Sequence, residues 1–258
     1  MCLSVRVEAD AQRDTRVNSV FRGKDVRAEL VLPAVVKFPD TVVVTCSNFR
    51  QPPDIDGEGF GQGFLFSQGV PALHVVTSAN HWLQTPEFPD LIQALGAARA
   101  QFPRAIGYGS SMGGFGVSLM SGLLGFDGTL AISPQFSVQP HKIGNDRRWA
   151  YIPDQFLMIN DDMEASFRRE GNHHVIFDPE TPDAIHAGLF AQLGATCHAL
   201  PYSGHSSAGY LAQTGMLAPI ALALVRDIEA DIAGLCRDAT MRCGMSPTYQ
   251  ANRALAMA

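Results

Sequence analysis

The chain has 258 residues, 46% of them apolar and 17% charged, with 24 Gly and 16 Pro; this suits one large domain and excludes a disordered chain or a coiled coil. Nineteen Lys and Arg stand against 25 Asp and Glu, a formal net charge of −6, and no basic run exceeds a pair, which argues against nucleic acid or an anionic membrane surface as partner. The five cysteines, at 2, 46, 197, 236 and 243, are odd in number and include no C-x-x-C pair, so neither a disulfide framework nor a four-thiolate zinc site is expected.

Arg6, Glu8, Asp10, Arg13 and Asp14 break up the N-terminal stretch in which a secretory signal needs an apolar run. The longest apolar run, Met216 to Val225, has ten residues and contains Pro219, too short to span hydrocarbon. A cytoplasmic location with no membrane partner is the expectation, and an isologous homodimer is the commonest assembly for a chain of this size.

In chain order, Thr41 to Thr45 is the clearest strand, preceded by the turn-forming Pro39-Asp40. Residues 57 to 63, with four glycines in seven positions, read as a loop. Leu73 to Thr77 is a second strand, and Pro89 to Phe102 carries Leu91, Leu95, Ala98 and Phe102 at helical spacing. Ala105 to Tyr108 is a strand, Met112 to about Leu124 a helix, and Thr129 to Ile132 a strand. Gln135 to Asn172 is too long for a simple connection and reads as a lid or small insertion. Then follow a strand at His174 to Phe177, a helix at Pro182 to Leu193 ending on Gly194, a strand at Thr196 to Leu200, and a mostly helical C-terminal third. Continuous apolar strands alternating with helices indicate a parallel sheet covered on both faces.

The strand ending at Tyr108 runs into Gly109-Ser110-Ser111-Met112-Gly113-Gly114, where the G-x-S-x-G spacing selects Ser111 and not Ser110. Side chains two residues either side of a serine on so tight a strand-to-helix turn would collide, hence the glycines. A plain glycine-rich turn packing helix on strand is the bland alternative. Phosphate-binding motifs fail, because Met112 stands where G-x-G-x-x-G needs glycine and no Gly-Lys-Ser/Thr ending is present.

A serine hydroxyl needs a histidine base and an orienting carboxylate to act as a nucleophile at neutral pH. His205 lies in a polar loop directly after the strand at 196 to 200, and Asp178 stands at the C-terminal end of the preceding strand, where ligand-facing residues of parallel sheets collect. The chain order Ser111, Asp178, His205 matches the order expected for a nucleophile-elbow enzyme. Asp183 is the rival acid, with helix-dipole complementation as its bland role. His81 is the rival base, whereas His74 and His198 fall within predicted strands, the His173-His174 pair begins one, His186 sits mid-helix, and His141 lies in the insertion.

Two backbone N–H donors must meet the oxygen of a tetrahedral intermediate. The Met112 amide is one candidate, and Asn48 and Phe49, in the loop after the strand at 41, are candidates for the other. Trp82, Arg147 and Arg148 are candidate substrate contacts, as an aromatic wall and as guanidinium groups able to meet a carboxylate, a phosphate or a glycan substituent.

The elbow around Ser111, the strand-end Asp178 and the loop His205 resemble the α/β-hydrolase superfamily, from the strand at 41 to the helix after His205. The resemblance implies an eight-strand, mostly parallel sheet with helices on both faces. It also implies ester, thioester or amide chemistry through an acyl-enzyme, here on Ser111. Such a cycle requires no cofactor, and a small-molecule or glycan-linked acyl substrate is the expectation, with Arg147 and Arg148 as the hint of a polar substituent. The chain departs from the pattern in having no His-Gly pair after the third strand and in the 135–172 insertion. An acyltransferase would use the same acyl-enzyme, and a non-catalytic binding protein could keep the fold without the triad.

Overall fold

The computed structural model describes residues 16–144 and 146–257; Cys2 and the charged positions from Arg6 to Asp14 lie outside the described residues. One sheet is built from β1 (Arg16–Arg22), β2 (Val26–Leu32), β3 (Thr41–Cys46), β4 (Ala72–Thr77), β5 (Arg104–Ser110), β6 (Gly128–Ile132), β7 (Asn172–Phe177) and β8 (Thr196–Ala199). Its spatial order is β1-β2-β4-β3-β5-β6-β7-β8. β2 pairs antiparallel with both β1 and β4, and every later pairing is parallel.

The six strands expected from apolar runs are present. β1 and β2 were not legible as strands, for a physical reason at each. β1 is an edge strand exposed over most of its length, so no apolar run marks it. β2 is interrupted by Arg27 and Glu29, yet Arg27 is buried, paired with Glu29 and bonded to the carbonyls of Ile55 and Gly57. Those partners lie in a distant loop and give a buried guanidinium what it lost from water.

The helices are α1 (Gln62–Ser67), α2 (Phe88–Arg99), α3 (Met112–Leu123), α4 (Pro140–Ile143), α5 (Ile152–Gln155), α6 (Met163–Ser166), α7 (Asp183–Gln192), α8 (Ser207–Gln213), α9 (Leu217–Arg226), α10 (Ile232–Met241) and α11 (Pro247–Ala256), with a 3-10 turn at Cys243–Met245. Strand side chains alternate between faces, so Val42 and Val44 of β3 pack with Leu91 and Leu95 of α2 and Phe115 and Leu119 of α3. Val43 turns the other way, into a second core with Leu65 of α1, Tyr210 of α8, and Ile220 and Leu224 of α9. The helices therefore cover both faces. Among the described residues no single helix is long and apolar enough to cross a membrane.

The long connection between β6 and β7 carries α4, α5 and α6, is tied to the loop before α2, and is braced internally. Asn160 donates to the carbonyls of Leu83 and Thr85, at 2.8 and 2.9 Å, and exchanges hydrogen bonds with the Gln84 side chain. Asp161, nearly buried, accepts from Ser137 Oγ and Gln139 Nε2. The loop receiving Asn160 holds Trp82 and Leu83 at φ 48 and 58, a left-handed pair without glycine that costs on the order of 1–3 kcal/mol per residue.

Candidate active site

Ser111 sits between β5 and α3 at φ 52, ψ −121, a backbone conformation that side chains rarely adopt. The glycines on either side are required by space. A Cβ on Gly109 would lie 2.4 Å from the Gly113 carbonyl oxygen, and one on Gly113 would lie 2.4 Å from the Cys46 carbonyl oxygen at the end of β3. Backbone cannot swing aside as a flexible side chain could. Gly113→Ala is expected to cost about 1–3 kcal/mol and to distort the turn; urea unfolding of a variant as stable as the wild type would contradict this account of the elbow.

The elbow aims Ser111 Oγ at His205 Nε2, 2.9 Å away. On the other side of the ring, Nδ1 lies 3.0 and 2.9 Å from the two carboxylate oxygens of Asp183. The expected partnership of His205 with Asp178 is therefore corrected: the carboxylate at the imidazole is Asp183, in the first turn of α7. Asp178 is buried and saturated elsewhere. Its Oδ1 accepts from the amides of Glu180 (2.9 Å) and Tyr202 (3.1 Å), and its Oδ2 from the Gly204 amide at 2.6 Å. It thus braces the loop that carries His205 without touching the ring. Asn252 of α11 adds a bond to the Tyr202 carbonyl at 3.0 Å, and Ser207 bonds Ser133 and Ser203 beneath the same loop.

Burial alone would raise the Asp183 carboxyl, but hydrogen bonding and charge from His205 and Arg148 outweigh it and hold this group below the ordinary carboxylate range. Asp146 behaves alike: burial pushes it up, and bonds from His186 and Arg148 bring it well below that range.

The candidate amide donors are placed as follows. Met112 opens α3, where a first-turn N–H has no intrahelical acceptor. In the loop after β3, the Ser47 amide is spent on the Val75 carbonyl and the Arg50 amide on Asn80 Oδ1. Among the described residues this leaves the amides of Asn48 and Phe49 without an acceptor. Gly113 brings the start of α3 against Cys46 and Ser47, so the end of β3 and the elbow adjoin.

The other predicted contacts have different roles. Trp82 is fully buried and donates its indole N–H to Gln135 Oε1 at 3.1 Å, so it is a support rather than an exposed wall. Arg148 is committed to Asp146 and Asp183, each at 2.7 Å from Nη2, and is not free to greet a ligand. Arg147 is exposed and makes no side-chain hydrogen bond or ion pair among the described residues. His81, the rival base, is buried, bonds the Asp25 carbonyl at 3.2 Å, lies edge-on to Phe156, and makes no hydrogen bond to Ser111.

Two residues at the site escaped the sequence. Gln135 Nε2 reaches Ser111 Oγ at 3.3 Å, and Trp149 packs against His205 with ring centroids 5.8 Å apart. Both belong to the connection after β6, which has no spacing signal; the Asp146-Arg147-Arg148-Trp149 run is the only local hint. Trp149 also packs, with tilted rings, on Phe49 and Trp82, centroids 5.4 and 5.3 Å away. Phe49 in turn walls a cavity of about 280 Å³ shared with Gln51, Asn80, Tyr151, Gln155 and Phe156. A larger, more apolar cavity of about 410 Å³ lies between α1 and the α8–α9 turn, lined by Phe60, Phe64, Tyr108 and Leu217 but by none of Ser111, His205 and Asp183. Among the described residues no three His, Cys, Asp or Glu side chains converge as metal ligands would, and Cys46, Cys197, Cys236 and Cys243 are unpaired thiols.

No protein-family model matches this sequence, and no curated protein matches it. Solved structures do. The glycosylation-associated protein Gap123 complex of Streptococcus agalactiae aligns at a TM-score of 0.61 and 14% identity, covering 84% of this chain and 47% of that one. The capsule O-acetyltransferase of Neisseria meningitidis serogroup A aligns at 0.53 and 14% identity, covering 72% and 87%. The esterase Est22 aligns at 0.50 and 13% identity, covering 87% and 81%. Identities this low speak to architecture alone. Taken with the strand order and the elbow between β5 and α3, they show that this chain has the α/β-hydrolase fold.

Proposed function

We propose that the protein is a serine-dependent acyl hydrolase whose nucleophile is Ser111. The observation that carries this reading is the unbroken line Ser111 Oγ, His205 Nε2, His205 Nδ1, Asp183, with contacts of 2.9 Å at the hydroxyl and 2.9 to 3.0 Å at the carboxylate. Asp183 accepts from Nδ1–H, which leaves Nε2 free to take the serine proton.

In the cycle, Oγ attacks an acyl carbonyl while its proton passes to His205 Nε2, and the imidazolium formed is stabilised by Asp183. The Met112 amide and that of Asn48 or Phe49 receive the oxyanion. Collapse of the tetrahedral adduct expels the alcohol or thiol, which takes the proton from His205. Water then attacks the acyl-enzyme under His205 catalysis, releasing the acid and restoring Ser111. Gln135, held by Trp82, orients Oγ toward the ring. The cavity beside Phe49, at about 280 Å³, is at the small end for ligand sites. None of Ser111, His205 and Asp183 lines it, and it meets the site through Phe49, which packs on Trp149 beside His205. With Gln51, Asn80 and Gln155 in its wall it suits a short, polar acyl substrate, free or attached to a glycan.

The test is labelling with a fluorophosphonate, followed by mass mapping of the adduct. Wild type and Ser110→Ala are expected to label at Ser111, and Ser111→Ala and His205→Ala to remain unlabelled. Absence of labelling in folded wild type, or labelling that survives Ser111→Ala, would overturn the assignment. Short-chain esters and thioesters assayed with added alcohols then distinguish water from an alcohol as acceptor, since a transferase yields a new ester in proportion to the alcohol.

A further inference from the structure

Beyond the Ser111–His205–Asp183 line, a second set of buried polar groups leads away from the acid. Arg148 Nη2 bridges Asp183 Oδ1 and Asp146 Oδ2, 2.7 Å from each, and its Nε lies 3.0 and 3.2 Å from the two Asp146 oxygens. The carboxylate sides of both pairs are buried, with side-chain exposures of 0% for Asp146 and 1% for Asp183. Asp146 Oδ2 also lies 3.0 Å from His186 Nε2, while His186 Nδ1 accepts the Phe136 amide at 2.9 Å. The ring proton is therefore on Nε2 and is donated to Asp146.

The placement makes these contacts more than a buried ion cluster. Asp183 and His186 stand three residues apart on α7, on one face of the helix, and the Asp146–Arg148 turn grips both. The residue before Phe136 is Gln135, which reaches Ser111 Oγ at 3.3 Å, and the residue after Arg148 is Trp149, which packs on His205. Hydrogen bonds and chain connectivity thus form a closed circuit: Ser111, His205, Asp183, Arg148, Asp146, His186, Phe136, Gln135 and back to Ser111. Apart from Ser111, His205 and the two α7 residues, every member comes from the connection between β6 and β7.

We propose that Arg148 is a positioning residue for the reaction: anchored by Asp146, it clamps the Asp183 carboxylate in line with His205, so that docking of the β6–β7 connection assembles the catalytic line. The proposal rests on the assignment of Ser111, His205 and Asp183 given above. A carboxylate with two oxygens open to the ring can rock between them; bonding Oδ1 to Arg148 fixes the plane of the group and leaves Oδ2 for Nδ1–H. Near-attack geometry is sensitive to such freedom, and misplacement by about 1 Å costs on the order of 10²-fold in rate.

The experiment compares wild type with Arg148→Met, Arg148→Lys and Asp146→Asn, using p-nitrophenyl acetate turnover, fluorophosphonate labelling, and the low-field proton NMR signal of the His205 Nδ1–H bonded to Asp183. Arg148→Met is expected to lower kcat by about 10- to 100-fold, with KM near the wild-type value and the low-field signal lost. Arg148→Lys, with one charge but no fork, should recover part of kcat. Asp146→Asn keeps an acceptor for His186 and the cation at 148 but loosens the anchor, so it should weaken the same signal if Arg148→Met fails to fold. Folded Arg148→Met, or in its place folded Asp146→Asn, with wild-type kcat and an intact signal would overturn the proposal. The signal needs no substrate, which separates the two failures. Its loss in Arg148→Met alongside an unreactive wild type would support the clamp and reject the hydrolase assignment.

Discussion

Asp183→Asn is expected to lower kcat by about 10⁴-fold while leaving the protein folded, the effect of fixing a triad imidazole in the wrong tautomer. The geometry dictates which way the new amide turns. Arg148 donates to Oδ1, so the amide oxygen takes that side and the NH₂ faces His205 Nδ1, which is 2.9 Å from the other position. Nδ1 must then accept, the ring proton moves to Nε2, and Nε2 can no longer take the proton of Ser111. Asp178→Asn tests the alternative acid directly. Asp178 Oδ2 accepts the Gly204 amide at 2.6 Å, and an amide nitrogen placed there would oppose a donor with a donor. The expected result is a loss of about 1–3 kcal/mol of stability and a smaller fall in kcat than for Asp183→Asn, through loosening of the His205 loop. Steady-state kinetics and urea unfolding of both variants decide the matter; a larger kcat loss in folded Asp178→Asn than in Asp183→Asn would return Asp178 to the role of acid.

Phe190→Ala is expected to cost about 3–5 kcal/mol, a large share of the roughly 5–15 kcal/mol that stabilises a domain. Phe190 is fully buried on α7, edge-on to Phe136 at 5.2 Å and against Phe167 at 5.7 Å. Those two rings belong to the β6–β7 connection, one near each end, so this contact glues the insertion to the helix that carries Asp183 and His186. Truncation leaves a cavity that rigid neighbours cannot fill, and activity should fall at temperatures where the wild type is still fully folded. The urea midpoint measures the first effect and the temperature dependence of turnover the second. A destabilisation below about 1 kcal/mol would mean that α7 is held chiefly by its polar contacts and not by this aromatic cluster.

What the sequence by itself determined was everything encoded by neighbours along the chain. The runs Thr41 to Thr45 and Thr129 to Ile132 are apolar on both sides because their strands are covered on both faces, and this pattern is local. The G-x-S-x-G spacing is likewise local, so Ser111 could be told from Ser110, and the demand for glycine at 109 is set by the Gly113 backbone a few residues on, whereas that at 113 comes from Cys46 on β3. The tertiary structure decided the rest. Asp178 and Asp183 are five residues apart after the same strand, and their types and spacing are equivalent until the fold shows that three amides saturate one while the other meets an imidazole. Arg148 has the sequence of a solvated pair with Arg147, yet its guanidinium is fixed by two carboxylates, one of them 35 residues away. β2 hid behind Arg27, whose partners lie in a distant loop. In each case the deciding quantity is whether a polar group removed from water finds a partner, and such partners are brought together only when the chain closes on itself.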